Sequence, residues 1–213
     1  LVLAVLLLFL AFRRYVLFFL ALVCTGLFCL FSLNSHFEKL TLAPQYGEIL
    51  RYVESPYGRI VITKEGPQHT FWESGIPFYS DADTVNSEEK IHYALSQLEE
   101  VKSVLLVSGG LGETLAEVSK YAPSSVDYVE LDPNLTRVAQ ELDLIVQSPS
   151  LTIHHDDGRH YIKETSKKYD AVIVDLPEPD TFQLNRFFTF EFFALAKKVL
   201  QKDGILSFSL NLS

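Results

Sequence analysis

Two kinds of apolar pattern divide the chain. Leu1–Phe12 is apolar, Arg13-Arg14 interrupts, and Val16–Leu33 is an uncharged run of 18 residues. As a helix that run spans about 27 Å at roughly 1.5 Å per residue, close to the thickness of a bilayer's hydrocarbon core. The pattern predicts a transmembrane helix preceded by the stump of another, over residues 1–33. A signal peptide with Arg13-Arg14 as its basic region is the competing reading. It fits less well, because apolar residues precede the arginines and no small-x-small cleavage site follows the run.

Beyond the run the periodicity changes. Ile49–Val53, Gly58–Thr63 and Gln68–Glu73 are short β-prone stretches, separated by the turn sequences Ser55-Pro56-Tyr57-Gly58 and Glu65-Gly66-Pro67. They predict a small β-rich module over residues 34–83. Ile91, Ala94, Leu95 and Leu98 then recur at helical spacing, predicting a helix over Ser87–Glu99 with Ser87 as its N-cap.

From Val101 strands and helices alternate. Strands over 103–107, 126–130, 151–155 and 170–174 precede helices over 112–121, from Asp132-Pro133, over 158–166 and over 187–200. A fifth strand is expected at Ile205–Leu210. Such alternation implies right-handed crossovers and a parallel sheet, an α/β domain over residues 84–213. The chain has no Met, starts within a hydrophobic run and stops just after an apolar strand. Both ends read as cut, so the sheet is expected to be C-terminally truncated.

Charge and cysteine content narrow the chemistry. The net charge is −9, from 18 basic and 27 acidic side chains; without Arg13 and Arg14 the remainder holds 16 basic against 27 acidic. Nucleic acid is not an expected partner, since phosphate contacts need basic patches. A cationic substrate fits, and so does an ordinary acidic domain. Cys24 and Cys29 both lie in the apolar run and the six His lack metal-ligand spacing, so neither a disulfide framework nor a metal is expected.

The strand ends carry the candidate chemistry, because ligands in open α/β sheets bind at the carboxyl ends of strands. Gly109-Gly110-Leu111-Gly112 joins the first strand to its helix, where Gly109, Gly110 and Gly112 would let a ligand approach the backbone. Leu115 stands where a dinucleotide fingerprint needs its third glycine, which favours a mononucleoside over NAD. Glu130 ends the second strand and can accept hydrogen bonds from both ribose hydroxyls. Asp132 suits an N-cap, with Pro133 at the first helical position. Asp157 follows the third strand and can accept from an adenine amino group, although one of Asp156 and Asp157 could equally cap the next helix. In Asp175-Leu-Pro-Glu-Pro-Asp180, Asp175 and Glu178 can hold an ammonium and take its proton; a loop that is only polar and capped is the competing reading.

With these elements in order, the chain resembles the spermidine synthase (polyamine aminopropyltransferase) family, especially its membrane-anchored bacterial branch. The resemblance runs from about Tyr52 to Leu210. It rests on Ser55-Pro-Tyr-Gly-Arg-Ile-Val, Gly66-Pro-Gln68, Glu88 followed by His92, the glycine turn and Val129-Glu-Leu-Asp132. It continues through Asp157-Gly158, Tyr169-Asp-Ala-Val-Ile-Val-Asp175 and Leu184-Asn-Arg-Phe-Phe-Thr-Phe-Glu-Phe-Phe193. The resemblance implies a Rossmann-like sheet of the class I methyltransferase type. Glu130 would bind the ribose and Asp157 the adenine of decarboxylated S-adenosylmethionine. Asp175 would orient and deprotonate an attacking amine, with Gln68, Glu88 and Glu178 on the amine side.

The implied reaction is aminopropyl transfer to a small cationic amine, releasing methylthioadenosine without a metal. The implied setting is the bacterial inner membrane, with the catalytic domain on the cytoplasmic side and a second copy of the chain as a partner. Arg13-Arg14, read by the positive-inside bias, points to the opposite orientation. Three positions depart from the family pattern: Leu111 replaces an Asp that faces the donor's cationic tail, Asn86 replaces a Tyr, and Glu178 replaces an Asp. These keep two alternatives open: a methyltransferase using intact S-adenosylmethionine, and a non-catalytic nucleoside-sensing domain.

Overall fold

Helix α1 (Val2–Ser32) runs without a break through Arg13-Arg14. The expected interruption into a stump and a second helix is absent from it. Arginine is a good helix former and its charge leaves the backbone hydrogen-bond ladder intact. Within α1, the 20-residue segment Phe12–Phe31 contains an 18-residue window of mean hydropathy 2.1, and its side chains are exposed. At about 1.5 Å per residue that segment matches a hydrocarbon core of about 30 Å. The computed structural model describes residues 2–32, 42–81, 83–145 and 147–208. Helix α1 and a helical turn over 42–46 belong to one unit, Leu1–Ile49, and the rest forms a second, Leu50–Ser213.

The second unit opens with a four-stranded meander, β1 (Ile49–Glu54), β2 (Arg59–Glu65), β3 (Gln68–Glu73) and β4 (Ile76–Ser80), in that spatial order. Gly66, at φ +60°, supplies the tight reversal between β2 and β3. Strand β4 has no clear signature in the sequence because Pro77 argues against a strand. The structure accommodates it opposite Trp72, where the β3–β4 register shifts. Helix α2 (Thr84–Leu95) follows. It starts three residues before the expected Ser87, which is buried within it, and Asp83 takes the N-cap position.

The parallel sheet comprises β5 (Ser103–Val107), β6 (Ser125–Glu130), β7 (Leu151–His155), β8 (Tyr169–Val174) and β9 (Leu200–Phe208). Its order is β7-β6-β5-β8-β9, with parallel pairing throughout. The crossovers carry α3 (Glu113–Ser119), α4 (Pro133–Glu141) and α5 (Gly158–Glu164), then α6 (Phe182–Asn185) and α7 (Phe190–Val199). One helix was expected over 187–200. The Thr189 hydroxyl, accepting from Phe192 N–H at 3.3 Å, instead starts α7 afresh. β9 begins at Leu200, earlier than expected, and residues 209–210 of the expected strand lie outside the described residues.

Alternation along β5 separates two cores. Val104 and Leu106 pack with Ile62, Phe71, Ile91 and Leu95, so the meander and α2 share one core with a face of the sheet. Leu105 and Val107 face the other way, among Ile162, Val172 and Phe192. Both faces are covered, as a parallel sheet requires. The chain builds β5, β6 and β7 outward on one side, then returns to place β8 and β9 on the other. The direction changes between β5 and β8, which puts a crevice at their carboxyl ends.

Candidate active site

Register alone brings two of the candidate carboxylates together. Val107 pairs with Val129 on one side and with Val174 on the other. The next residues, Ser108, Glu130 and Asp175, therefore stand at one level at the edge of the sheet. Side chains alternate along each strand, so these three continue the face carrying Leu106, Tyr128 and Ile173, toward the core shared with α2. Ser108 N–H donating to Val129 C=O at 2.9 Å and Asp175 N–H donating to Val107 C=O at 3.0 Å extend the ladder to this level.

The glycine turn is shaped by the protein's own side chains. Gly109 has φ +68° and packs so closely on the Asp175 carboxylate that a Cβ would collide with it. A Cβ on Gly110 would lie 2.6 Å from the Tyr128 ring, and one on Gly112 would strike the Tyr79 hydroxyl. Ser108 is itself left-handed, at φ 61°. Leu111 turns inward and is 1% exposed, in the core with Tyr128 and Ile91. The position that resemblance assigns to a counter-charge is thus filled by an apolar side chain.

Glu130 is 5% exposed. Its carboxylate accepts from the Tyr128 hydroxyl at 2.9 Å, from Leu131 N–H at 2.8 Å, and at longer range from Asp132 N–H (3.3 Å) and Ser108 Oγ (3.4 Å). Burial raises its pKa above the ordinary glutamate value, the Asp132 carboxylate adds to the rise, and these hydrogen bonds hold it back. The fully buried Tyr128 hydroxyl is raised as well, by burial and then by Glu130. Asp132 caps α4 by accepting from Asn134 N–H at 2.9 Å, as its sequence context predicts, and its Oδ2 is buried without a hydrogen-bond partner.

Asp157 caps α5, accepting from Arg159 N–H at 3.1 Å and His160 N–H at 3.0 Å. It also forms an ion pair with Arg186, whose guanidinium lies 5.0 Å from the Phe187 ring centroid. The capping alternative for Asp157 is therefore realised, and an adenine amino group would share that carboxylate with Arg186. Glu178 lies half-buried in the loop after β8. Gln68 donates to Ser80 Oγ at 2.7 Å, tying the start of β3 to the end of β4.

Glu88 is held apart from Asp175 by helix geometry. Its carboxylate clusters with His92 and Glu117, the three offering ligand atoms within 4.8 Å of one another. That cluster is already paired internally: His92 bonds Glu117 at 2.9 Å and Tyr121 at 2.7 Å, and Lys120 sits 2.5 Å from Glu117. Two residues further along α2, on the opposite side of the helix, Lys90 Nζ lies 2.6 Å from Asp175 Oδ1. Sequence reasoning missed Lys90. The available signal was its two-residue offset from Glu88, which sends the two side chains to different neighbours.

A doubly wound α/β sheet with acidic side chains and a glycine turn at its switch point defines the class: a Rossmann-like α/β domain. The family follows from comparison. Residues 84–210 match the spermine/spermidine synthase domain, so the chain belongs to that family. A polyamine aminopropyltransferase 2 of Aquifex aeolicus is 31% identical over 170 residues, covering 75% of this chain and 34% of the relative. A polyamine aminopropyltransferase of Oceanobacillus iheyensis is 29% identical, over 87% of this chain and 37% of the relative. The chain thus spans roughly a third of the length of these relatives. The fold is that of a crystal structure of spermidine synthase in complex with the transition-state analogue AdoDATO, at a TM-score of 0.68 and 24% identity, over 76% of this chain and 57% of that one. The Thermotoga maritima spermidine synthase superimposes with a TM-score of 0.66 at 23% identity, covering 76% and 56% of the two chains.

Proposed function

We propose that this chain serves aminopropyl transfer from decarboxylated S-adenosylmethionine to a polyamine or related amine. The observation that carries the reading is the level placement of Glu130 and Asp175 on either side of the glycine turn, in a member of a family whose relatives are named polyamine aminopropyltransferases. Glu130 accepts from the ribose hydroxyls and Asp157 from the adenine amino group, while Gly109, Gly110 and Gly112 line the donor's path. Gln68 and Glu178 form the acceptor side, as the resemblance assigns them, whereas Glu88, which the resemblance also places there, is turned toward His92 and Glu117. The amine lone pair attacks the carbon next to the sulfonium. A C–N bond forms, the C–S bond breaks with its electron pair going to sulfur, and the amine proton passes to Asp175. Holding the two substrates in line supplies most of the acceleration.

Methyl transfer from intact S-adenosylmethionine is the second reading, favoured by one observation: Leu111 is buried in the core where the family pattern has a carboxylate. The exposed apolar helix α1 supports an anchor in the bacterial inner membrane, with the catalytic unit on the cytoplasmic side. The Oceanobacillus match leaves fewer residues of this chain uncovered than α1 contains, so the likeness reaches into that helix. Residues 1–33 then act as anchor, 34–83 as the β module and 84–213 as the catalytic domain, with pairing to a second copy carried by the family resemblance.

Full-length protein given decarboxylated S-adenosylmethionine and a diamine should release methylthioadenosine. Asp175→Asn should lower turnover by roughly 10²–10⁴, the usual worth of a positioned base, and leave methylthioadenosine affinity nearly intact. Release of S-adenosylhomocysteine from the intact donor would move the assignment to methyl transfer. Unchanged turnover in the variant would remove Asp175 from the chemistry.

A further inference from the structure

Asp175 already holds a primary ammonium, and it comes from the protein. Lys90 Nζ lies 2.6 Å from Asp175 Oδ1, with the two side chains only 22% and 11% exposed. The other face of the carboxylate is closed by Gly109. An amine acceptor's ammonium, seeking the same oxygen from the crevice, would meet the position Lys90 occupies. Lys90 sits on α2, whose Ile91 and Leu95 are fully buried in the core shared with the sheet, so its backbone is firmly placed. Only the flexible side chain has to move for the carboxylate to become available.

We infer that Lys90 is the specificity-determining residue of the acceptor side, a tethered competitor for the amine position at Asp175. This rests on the aminopropyl-transfer reading and names what governs acceptor entry. Lys90 and a substrate amine carry the same headgroup, so exchanging one for the other gains little at Asp175 itself. The lysine is attached, and a tethered group competes at an effective concentration of about millimolar or more. A monoamine therefore loses to it. A diamine brings a second ammonium, which can meet Glu178, three residues along the same loop, and this second contact drives the exchange. Leu111 sharpens the selection, because it offers no charge to a lone ammonium in the turn beside Asp175.

The test is calorimetric titration of 1,4-diaminobutane and of 1-aminobutane into full-length protein saturated with methylthioadenosine. Lys90→Gln and Lys90→Met should bind the diamine about tenfold more tightly than the unmodified protein, the factor carried by one charge-assisted contact. Both should also acquire measurable monoamine binding, and Lys90→Arg should retain the weak binding of the parent. The two uncharged variants guard against a fold defect peculiar to one of them. Unchanged or weaker diamine binding in both, or no diamine binding to any form, would overturn the inference. Methylthioadenosine release separates the two proposals. A diamine affinity shift without turnover leaves Lys90 as competitor and defeats aminopropyl transfer, whereas turnover without the shift does the reverse.

Discussion

Two buried acids three residues apart on β6 have opposite surroundings. Asp127, 1% exposed, faces the α5 and α7 side of the sheet. It accepts from Lys167 Nζ at 2.9 and 2.8 Å and from the Tyr169 hydroxyl at 2.9 Å, and pairs with His154 Nε2 at 2.6 Å. Burial alone would push its pKa up, but the bonds from Lys167, His154 and Tyr169 outweigh it and hold the carboxyl below the ordinary value. Glu130, on the opposite face at the strand's end, has a tyrosine and backbone N–H groups as partners and is raised. A saturated acid with a counter-cation ties elements together. Glu130 keeps its carboxylate among neutral donors. The two acids on this strand share burial and differ in counter-charge.

The strongest way to break that contrast is to remove Asp127. Asp127→Ala should lower unfolding free energy by about 3 kcal/mol, because the buried Tyr169 hydroxyl and the half-buried His154 lose their acceptor while Lys167, 55% exposed, returns to water, read by urea denaturation. A loss below about 1 kcal/mol would make the network a surface ornament. The sign with pH follows from the shifts. A depressed carboxyl contributes stability above its unfolded value of 3.8, and that contribution fades as pH falls through the lower folded value. Lys167 is raised, by its bond to Asp127 first, so its share is complete below 10.5 and fades only at higher pH.

A smaller effect sharpens the other half. Tyr128→Phe deletes the one side-chain donor within 3 Å of Glu130 among the described residues. Stability should fall by about 1.5–3 kcal/mol, the range for hydrogen bonds to charged groups, and the Glu130 carboxyl should rise further, visible as a shifted carboxyl resonance in a pH titration by NMR. An unmoved titration would mean Tyr128 does not govern Glu130.

How far the sequence was legible differs along the same lines. Glu130 could be singled out because it ends a strand some twenty residues after a glycine turn, and Asp132-Pro133 announced its helix correctly. Strand 103–107 was readable to the residue because a continuous apolar run marks a buried parallel strand, and strand 151–155 because Leu151 and Ile153 alternate with polar residues on a half-buried edge strand. Asp127 carried no such mark: its partners lie 27 to 42 residues away and only the fold gathers them. Lys90 was hidden for the same reason, its partner being Asp175 on a strand beyond three crossovers. Strand β4 was masked by Pro77, and the continuity of α1 by two arginines that helices tolerate. Asp157 was legible as a helix cap, but its tie to Arg186 was not.

The most direct measurement is methylthioadenosine binding to Glu130→Gln by calorimetry. Glutamine keeps the shape and can accept from Leu131 N–H, so the fold should be retained, and the loss of stability as pH rises above 4.5, caused by the raised Glu130, should disappear. Affinity should fall by about 1–3 kcal/mol as charge-assisted bonds to the ribose are lost. Equal affinity in the two proteins would contradict the account, leaving Glu130 as a buried acid with no ligand to hold.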